Sequence, residues 1–176
     1  SNVPEGYNAV MPYLTVADAA AALAFYKRAF GAKQRMLLKM GTMIGHAEVE
    51  IGGCVIMLAD EMPDFGNKGP RSLNGSPVTL CVNVADVDKA MAKAVAAGGT
   101  IKTPAADHFY GYRMGQIEDP FGHVWMLQNQ FEAMTPREMQ KRMDKMMAEQ
   151  GGAAPAKPAP KAEGKGRRPP PWAPSS

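Results

Sequence analysis

The sequence has only two cysteines and three histidines, and no apolar run approaching the ~18 residues that a membrane span requires. Cys54 and Cys81 sit inside apolar segments without CxxC spacing, which argues against both a zinc ribbon and a disulfide framework and predicts two buried free thiols. The N-terminus lacks the charged-then-apolar pattern of a signal peptide, so the expectation is a soluble, cytoplasmic protein. A general basic surface is lacking too. The formal charge is +3, but residues 151–176 carry Lys157, Lys161, Lys165, Arg167 and Arg168 against Glu163, a surplus of four. The first 150 residues therefore stand near −1, and five scattered cations without interleaved aromatics make no nucleic-acid motif.

What the chain does have is 45% hydrophobic residues, enough for a real core in one compact domain or two small modules. Ala9 to Val16 reads as a strand with Leu14 and Val16 on one face and Met11, Tyr13 and Thr15 on the other. Asp18 is a natural N-cap for a helix over Ala19 to Phe30, with Ala19, Leu23, Tyr26 and Phe30 as its apolar stripe and Gly31 as its stop. Lys33 to Lys39 reads as a second strand. Ile44 to Ile51 and Cys54 to Ala59 then form a hairpin around Gly52-Gly53, which pairs Ile51 with Cys54, Val49 with Ile56 and Ala47 with Leu58. One face of that hairpin is aliphatic, and the other carries His46, Glu48 and Met57.

Asp60 to Ser76 reads as a linker or a loop over the site. The plan then repeats. Pro77 to Val84 is a strand, Asp86 a cap, Val87 to Ala97 a helix ended by Gly98-Gly99, Thr100 to Lys102 a strand and Pro104 to Tyr110 a loop. Val16-Ala17-Asp18 matches Val84-Ala85-Asp86 at an offset of 68, and the same offset carries Gly31 to Gly99, as an internal duplication would. Met114 to Ile117 and His123 to Leu127 close the second module as a hairpin turned by Asp119-Pro120-Phe121-Gly122. Beyond it, Thr135-Pro136-Arg137-Glu138 starts a helix whose Met139, Met143 and Met146 or Met147 form a stripe suited to docking on its own domain or a twin subunit. The Gly, Ala, Pro, Lys and Arg tail from 151 reads as disordered.

Two βαβββ modules, near 8–60 and 77–130, with VADAAAALAFYKRAFG in the first and the Glu118-Asp119-Pro120-Phe121-Gly122 turn leading into HVWML in the second, resemble the vicinal-oxygen-chelate superfamily of glyoxalases, bleomycin-resistance proteins and extradiol dioxygenases. The PhnB-like and bleomycin-resistance-like branches are the more similar. The resemblance implies an α+β fold in which the modules form a curved mixed sheet around a cavity. The domain plan is then residues 1–134 for the glyoxalase-like domain, 135–150 for an amphipathic helix and 151–176 for the tail.

In metal enzymes of that superfamily the first and last strands of each module each supply one ligand. Carried over, those positions fall near Met11, Met57, Thr79 and Met126. Thioethers and a lone hydroxyl suit a hard divalent ion poorly, so no metal and no cofactor is expected. A displaced site from His46 and Glu48 with His108 or His123 is the alternative. His123, just after the turn, also reads as a residue that holds the hairpin. The resemblance also implies a homodimer with cavities completed by the second subunit.

A methionine-rich cavity suits a flat or greasy organic ligand, oriented by His46, Glu48, Tyr13, Thr79 and Gln116 with Tyr110, Tyr112 and Arg113 at the rim. Arg113 reads equally well as the partner of a carboxylate such as Glu118 or Asp119. The first functional reading is a metal-independent small-molecule binding protein, sequestering or carrying a hydrophobic or aromatic metabolite or antibiotic, with no nucleic-acid or membrane partner. The second is a lyase- or isomerase-type enzyme with Glu48 as general base on a carbonyl compound, helped by His46; that reading needs Glu48 unpaired, with a raised pKa.

Overall fold

The computed structural model describes residues 2–151, so the expected disorder of the tail falls almost wholly on residues outside that range. Two four-stranded mixed sheets with their helices make an α+β fold. The first module runs β1 (Tyr13–Val16), α1 (Ala19–Phe30), β2 (Lys33–Met40), β3 (Met43–Ile51) and β4 (Cys54–Asp60), in the sheet order β1-β4-β3-β2. A linker holding a 3-10 turn (Pro63–Phe65) and the short helix α2 (Pro70–Leu73) leads to the second. There β5 (Thr79–Asn83), α3 (Val87–Ala96), β6 (Thr100–Asp107), β7 (Tyr112–Glu118) and β8 (Val124–Gln130) repeat the plan in the order β5-β8-β7-β6. The helix α4 (Pro136–Glu149) follows.

Local chemistry fixes these elements. Asp18 caps α1 by accepting from the Ala21 amide, Asp86 caps α3 by accepting from Lys89, and Thr135 with Glu138 closes a full capping box on α4. Gly52 and Gly53 both hold left-handed φ values of 57° and 78°, the two-residue hairpin turn, and the pairing around them is Ile51 with Cys54, Val49 with Ile56 and Ala47 with Leu58.

Three expectations are corrected. The strand β1 starts at Tyr13, not Ala9. The buried stripe of α1 is Ala19, Ala22, Phe25, Tyr26 and Ala29; Leu23 and Phe30 pack only at its margin. The strand β6 continues through Pro104 to Asp107, because a proline on an edge strand breaks only one pairing, here at an irregularity between Thr103 and Ala106. No residue of α4 is buried, and its methionine stripe has Met143 exposed and Met139, Met146 and Met147 half-buried.

One core serves both modules. Phe25, Tyr26 and Ala29 of α1 and Val87, Met91 and Ala94 of α3 pack with Leu14, Val16, Val49 and Leu58 of the first sheet and Ile117, Trp125 and Leu127 of the second. The α1 rings Tyr26 and Phe30 lie 5.2 and 4.6 Å from Trp125, ring centre to ring centre. Because strand side chains alternate, each sheet turns its other face away from this shared core. The two outer faces belong to different sheets. Among the described residues no helix is long and apolar enough to cross a membrane.

Candidate functional site

The outer face of the first sheet carries a row set by strand pairing. Tyr13 lies beside Met57, Met57 beside Glu48, and Glu48 beside Met36, with Leu38 next to His46. Met36, Leu38 and Tyr13 are 38%, 55% and 50% exposed, so the face is apolar and open. Glu48 is the exception at 5%, because residues 6–8 fold back over it. Asn8 accepts from the Val55 amide, Arg35 donates to the Gly6 carbonyl, and the Arg35 guanidinium sits 4.7 Å over the Tyr7 ring.

A continuous hydrogen-bond chain runs through this face. Tyr7 Oη donates to Glu48 Oε2 at 2.8 Å, His46 Nε2 lies 3.2 Å from Glu48 Oε1, and Tyr13 Oη lies 3.0 Å from His46 Nδ1. The tautomer protonated on Nε2 satisfies both ring contacts, donating to Glu48 and accepting from Tyr13. Burial pushes the Glu48 carboxyl up, but the hydrogen bonds from Tyr7 and His46 outweigh it and hold the group below its ordinary value. Glu48 is thus neither unpaired nor neutralised by Arg113, and it lacks the raised pKa expected of a general base. Burial raises the Tyr13 phenol, which stays protonated as a donor.

The outer face of the second sheet repeats the row. Cys81 lies beside Met126, Met126 beside Gln116, and Gln116 beside Thr103, which donates to it at 3.4 Å. Tyr13 to Cys81 and Glu48 to Gln116 are each 68 positions apart and Met57 to Met126 is 69, so the duplication extends to the site rows. This shifts two expected positions. Pro12, not Tyr13, supplies the carbonyl that accepts from the Met57 amide, so pairing starts at Tyr13 and leaves half-buried Met11 ahead of the strand. Thr79 pairs with Val124, which puts Cys81, not Thr79, beside Met126. Cys81 is exposed and Cys54 half-buried, so neither thiol is buried as expected.

The remaining predicted residues divide. Tyr112 faces outward on the second sheet beside Gln130, and Tyr110 donates to the Met114 sulfur. Arg113 points to the opposite, helix-covered side, where it makes a two-pronged pair with Asp88 of α3 and a second bond to Asp107. Its partners are not the neighbouring Glu118 or Asp119, because alternation and the approach of α3 put Asp88 within reach. Among the described residues, no hydrogen bond links the His46–Glu48 group to the second-sheet face.

A metal of the kind the superfamily uses does not fit this residue set. The first-strand and last-strand positions hold Tyr13, Met57, Cys81 and Met126: one phenol, two thioethers and a thiol on two separated faces. The displaced alternative does not assemble either. His123 Nε2 contacts the Thr15 carbonyl at 3.0 Å, His108 stacks on Tyr110, and among the described residues no three His, Cys, Asp or Glu side chains converge as a metal would need. The His123 contact does tie the hairpin to the first module. A cleft of about 250 Å³ between the linker and the second sheet, with Arg71, Lys102 and Glu118 on its walls, touches none of the predicted site residues.

Asp119 reads from the sequence as a turn residue and as a candidate partner of Arg113, not as a core hub. It is fully buried and accepts four hydrogen bonds: from the Phe121 and His123 amides at Oδ1, and from Tyr26 Oη and Trp125 Nε1 at Oδ2. The signal available was an Asp followed four residues later by His and six later by Trp, all in one hairpin.

A family profile described as "Glyoxalase/Bleomycin resistance protein/Dioxygenase superfamily" matches residues 6–127. An uncharacterized protein of Mycobacterium tuberculosis, Rv0887c, is 40% identical over 140 residues, covering 77% of this chain and 82% of its own. The X-ray structure of the Arabidopsis thaliana gene product At5g48480 superposes with a TM-score of 0.57 at 27% identity, over 69% of this chain and 98% of that one. The fosfomycin resistance protein FosX from Listeria monocytogenes shares the fold at TM-score 0.56 and 18% identity, over 75% of this chain and 97% of that one.

Proposed function

The chain belongs to the glyoxalase/bleomycin resistance protein/dioxygenase superfamily, and from that premise we propose that it is a metal-independent protein that binds a hydrophobic or aromatic small molecule, a metabolite or an antibiotic, to sequester or carry it. The observation that carries this reading is the outer face of the first sheet. Met36, Leu38 and Met57 form an adaptable apolar floor there, and Tyr13 and His46 stand on it as polar groups able to orient a ligand. Within the superfamily we assign the chain to the PhnB-like branch on its Phe109-Tyr110-Gly111-Tyr112-Arg113 run. Two free cysteines with no disulfide suit a cytoplasmic location.

An open sheet with half-exposed Tyr13, Leu38 and Met40 leaves apolar area that a second copy would cover. In the homodimer we propose, the first-sheet face of one copy meets the second-sheet face of the other, so that Tyr13, Met57 and His46 share a cavity with Cys81, Gln116 and Met126.

The test is elemental analysis of protein purified without chelators or a His-tag, followed by a thermal-shift screen of aromatic and aliphatic small molecules and light scattering of the free protein. The expected result is no stoichiometric metal, a dimer mass, and stabilisation by apolar or aromatic compounds that Met57→Glu abolishes. Near-stoichiometric zinc, nickel, manganese or iron would overturn the metal-free reading, and a monomer at high concentration would overturn the shared cavity.

A further inference from the structure

The helix α4 holds its shape without burying a face. Thr135 and Glu138 close its capping box, Gln140 donates to Asp144 one turn on at 2.8 Å, and Lys145 lies 3.9 Å from Glu149. Arg142 ties it to the body, paired with Glu132 and donating to the Phe109 carbonyl. No residue of the helix is buried, so its methionines form no core against the described domain. Three of them make a triangle on its surface. Met143, Met146 and Met147 stand at i, i+3 and i+4, within about 100° of the helix circumference and about 6 Å of its axis. Side chains three and four apart on a helix have Cβ atoms about 5–6 Å from one another, and the flexible, unbranched thioether lets each sulfur lean over the centre of the triangle. Met143 is 39% exposed and the other two are half-buried, so the triangle is open to solvent. The neighbouring charges are drawn aside: Arg142 to Glu132, Asp144 to Gln140 and Lys145 to Glu149. What faces outward is a patch of soft, uncharged donors.

We propose that Met143, Met146 and Met147 form a binding site for one monovalent copper ion. The donor set names the class of ion. Thioethers are soft ligands that select Cu(I), whereas magnesium, calcium and manganese take oxygen. Met143 is the shared neighbour of the other two, and Met139, one turn earlier, extends the same face. Binding forms three sulfur–copper bonds with no change of oxidation state. A thioether has no proton to lose, so none is released, in contrast to a site built on thiols or imidazoles. Uncharged ligands hold the ion exchangeably, and protein purified without added copper is expected to carry none. The site uses no residue of the ligand seat on the first sheet and stands or falls apart from it.

Silver(I), redox-stable and of the same soft class, is the probe. The full chain carries Cys54→Ser and Cys81→Ser, which removes the two competing thiols. NMR of 13C-methyl-labelled methionine follows each residue as silver nitrate is added in chloride-free buffer. The methyl signals of Met143, Met146 and Met147 are expected to move together and to saturate at one ion per chain, while those of Met40 and Met43 stay in place. Met143→Leu keeps the side-chain volume and the helix propensity but removes the shared neighbour. Loss of even an outer-shell partner costs a metal site about 10–100-fold, so this variant should bind at least about 10-fold more weakly. Competition with bicinchoninate for copper(I) should rank the two proteins in the same order. Signals that move only at methionines outside α4, an unchanged affinity in Met143→Leu, or an equal response to magnesium would overturn the site. Signals of α4 methionines that move with protein concentration before any silver is added would show a second copy packed on the triangle, and would overturn it as well.

Discussion

Tyr26 and Asp119, 93 positions apart, meet in the core with the Tyr26 hydroxyl 2.8 Å from Asp119 Oδ2. The bond joins the helix of the first module to the closing hairpin of the second, and both residues are fully buried. Removing the hydroxyl in Tyr26→Phe takes one of four donors from a buried carboxylate, leaving Oδ2 with Trp125 alone, and is expected to cost about 1–3 kcal/mol. Asp119→Ala strands four donors at once and should cost more than about 3 kcal/mol. Urea denaturation followed by tryptophan fluorescence measures both, with Trp125 as a core probe. Equal, small losses for the two variants would show that the carboxylate is not the hub its geometry describes.

The same pair sets an alkaline limit. Burial, with the neighbouring Asp119 charge and the hydrogen bond to it, pushes the Tyr26 phenol well above its ordinary value of 10.0. A raised folded-state pKa contributes stability fully present below the unfolded value near 10. That stability is lost as pH rises toward the folded value, because the unfolded chain sheds the proton first. Between pH 10 and 11.5 the wild type should lose up to about 1.4 kcal/mol per pH unit through this one group. Tyr26→Phe should show a flatter slope over that range, and parallel slopes would refute the assignment.

Gly115 on β7 lies where a side chain would meet Met91 of α3 and the Ala105 backbone. Gly115→Ala should therefore destabilise by about 1–3 kcal/mol through overpacking. Thermal denaturation of the double variant checks the cause. Shortening the neighbour, Met91→Ala, should cost less in the Gly115→Ala background than in the wild type, while simple additivity would put the clash elsewhere.

Much of this architecture was legible because it depends on local rules. The caps at Asp18, Asp86 and Thr135, the Gly52-Gly53 turn with its register, and the repeat at 68 residues follow from side-chain chemistry and periodicity alone. Strand starts were less legible. An apolar run from Ala9 looks continuous, yet pairing begins only after Pro12, and that two-residue difference exchanged Met11 for Tyr13 and Thr79 for Cys81 in the site rows. Arg113 was assigned to a rim because its sequence neighbours are aromatic, but alternation turns it toward Asp88, a residue 25 positions earlier. Asp119, Tyr26 and Trp125 escaped for a related reason. Their meeting is a property of how two modules dock, and no window along the chain contains it.

Tyr7 supplies the last prediction, because it covers Glu48 from outside the sheet. Its phenol and His46 together hold the carboxyl below its ordinary value of 4.5 against the opposing effect of burial. A depressed folded-state pKa contributes stability present above the unfolded value and lost as pH falls through the folded one. Tyr7→Phe removes one of the two stabilising donors while burial stays, so the Glu48 carboxyl should titrate at higher pH than in the wild type. NMR of side-chain carboxyl carbons across pH 2.5 to 7 follows it directly. The acid limb of stability should move upward in the same variant, and Glu48→Gln should erase that limb's dependence on Tyr7. A Glu48 titration unmoved by Tyr7→Phe would mean that the N-terminal residues do not rest on the sheet in solution.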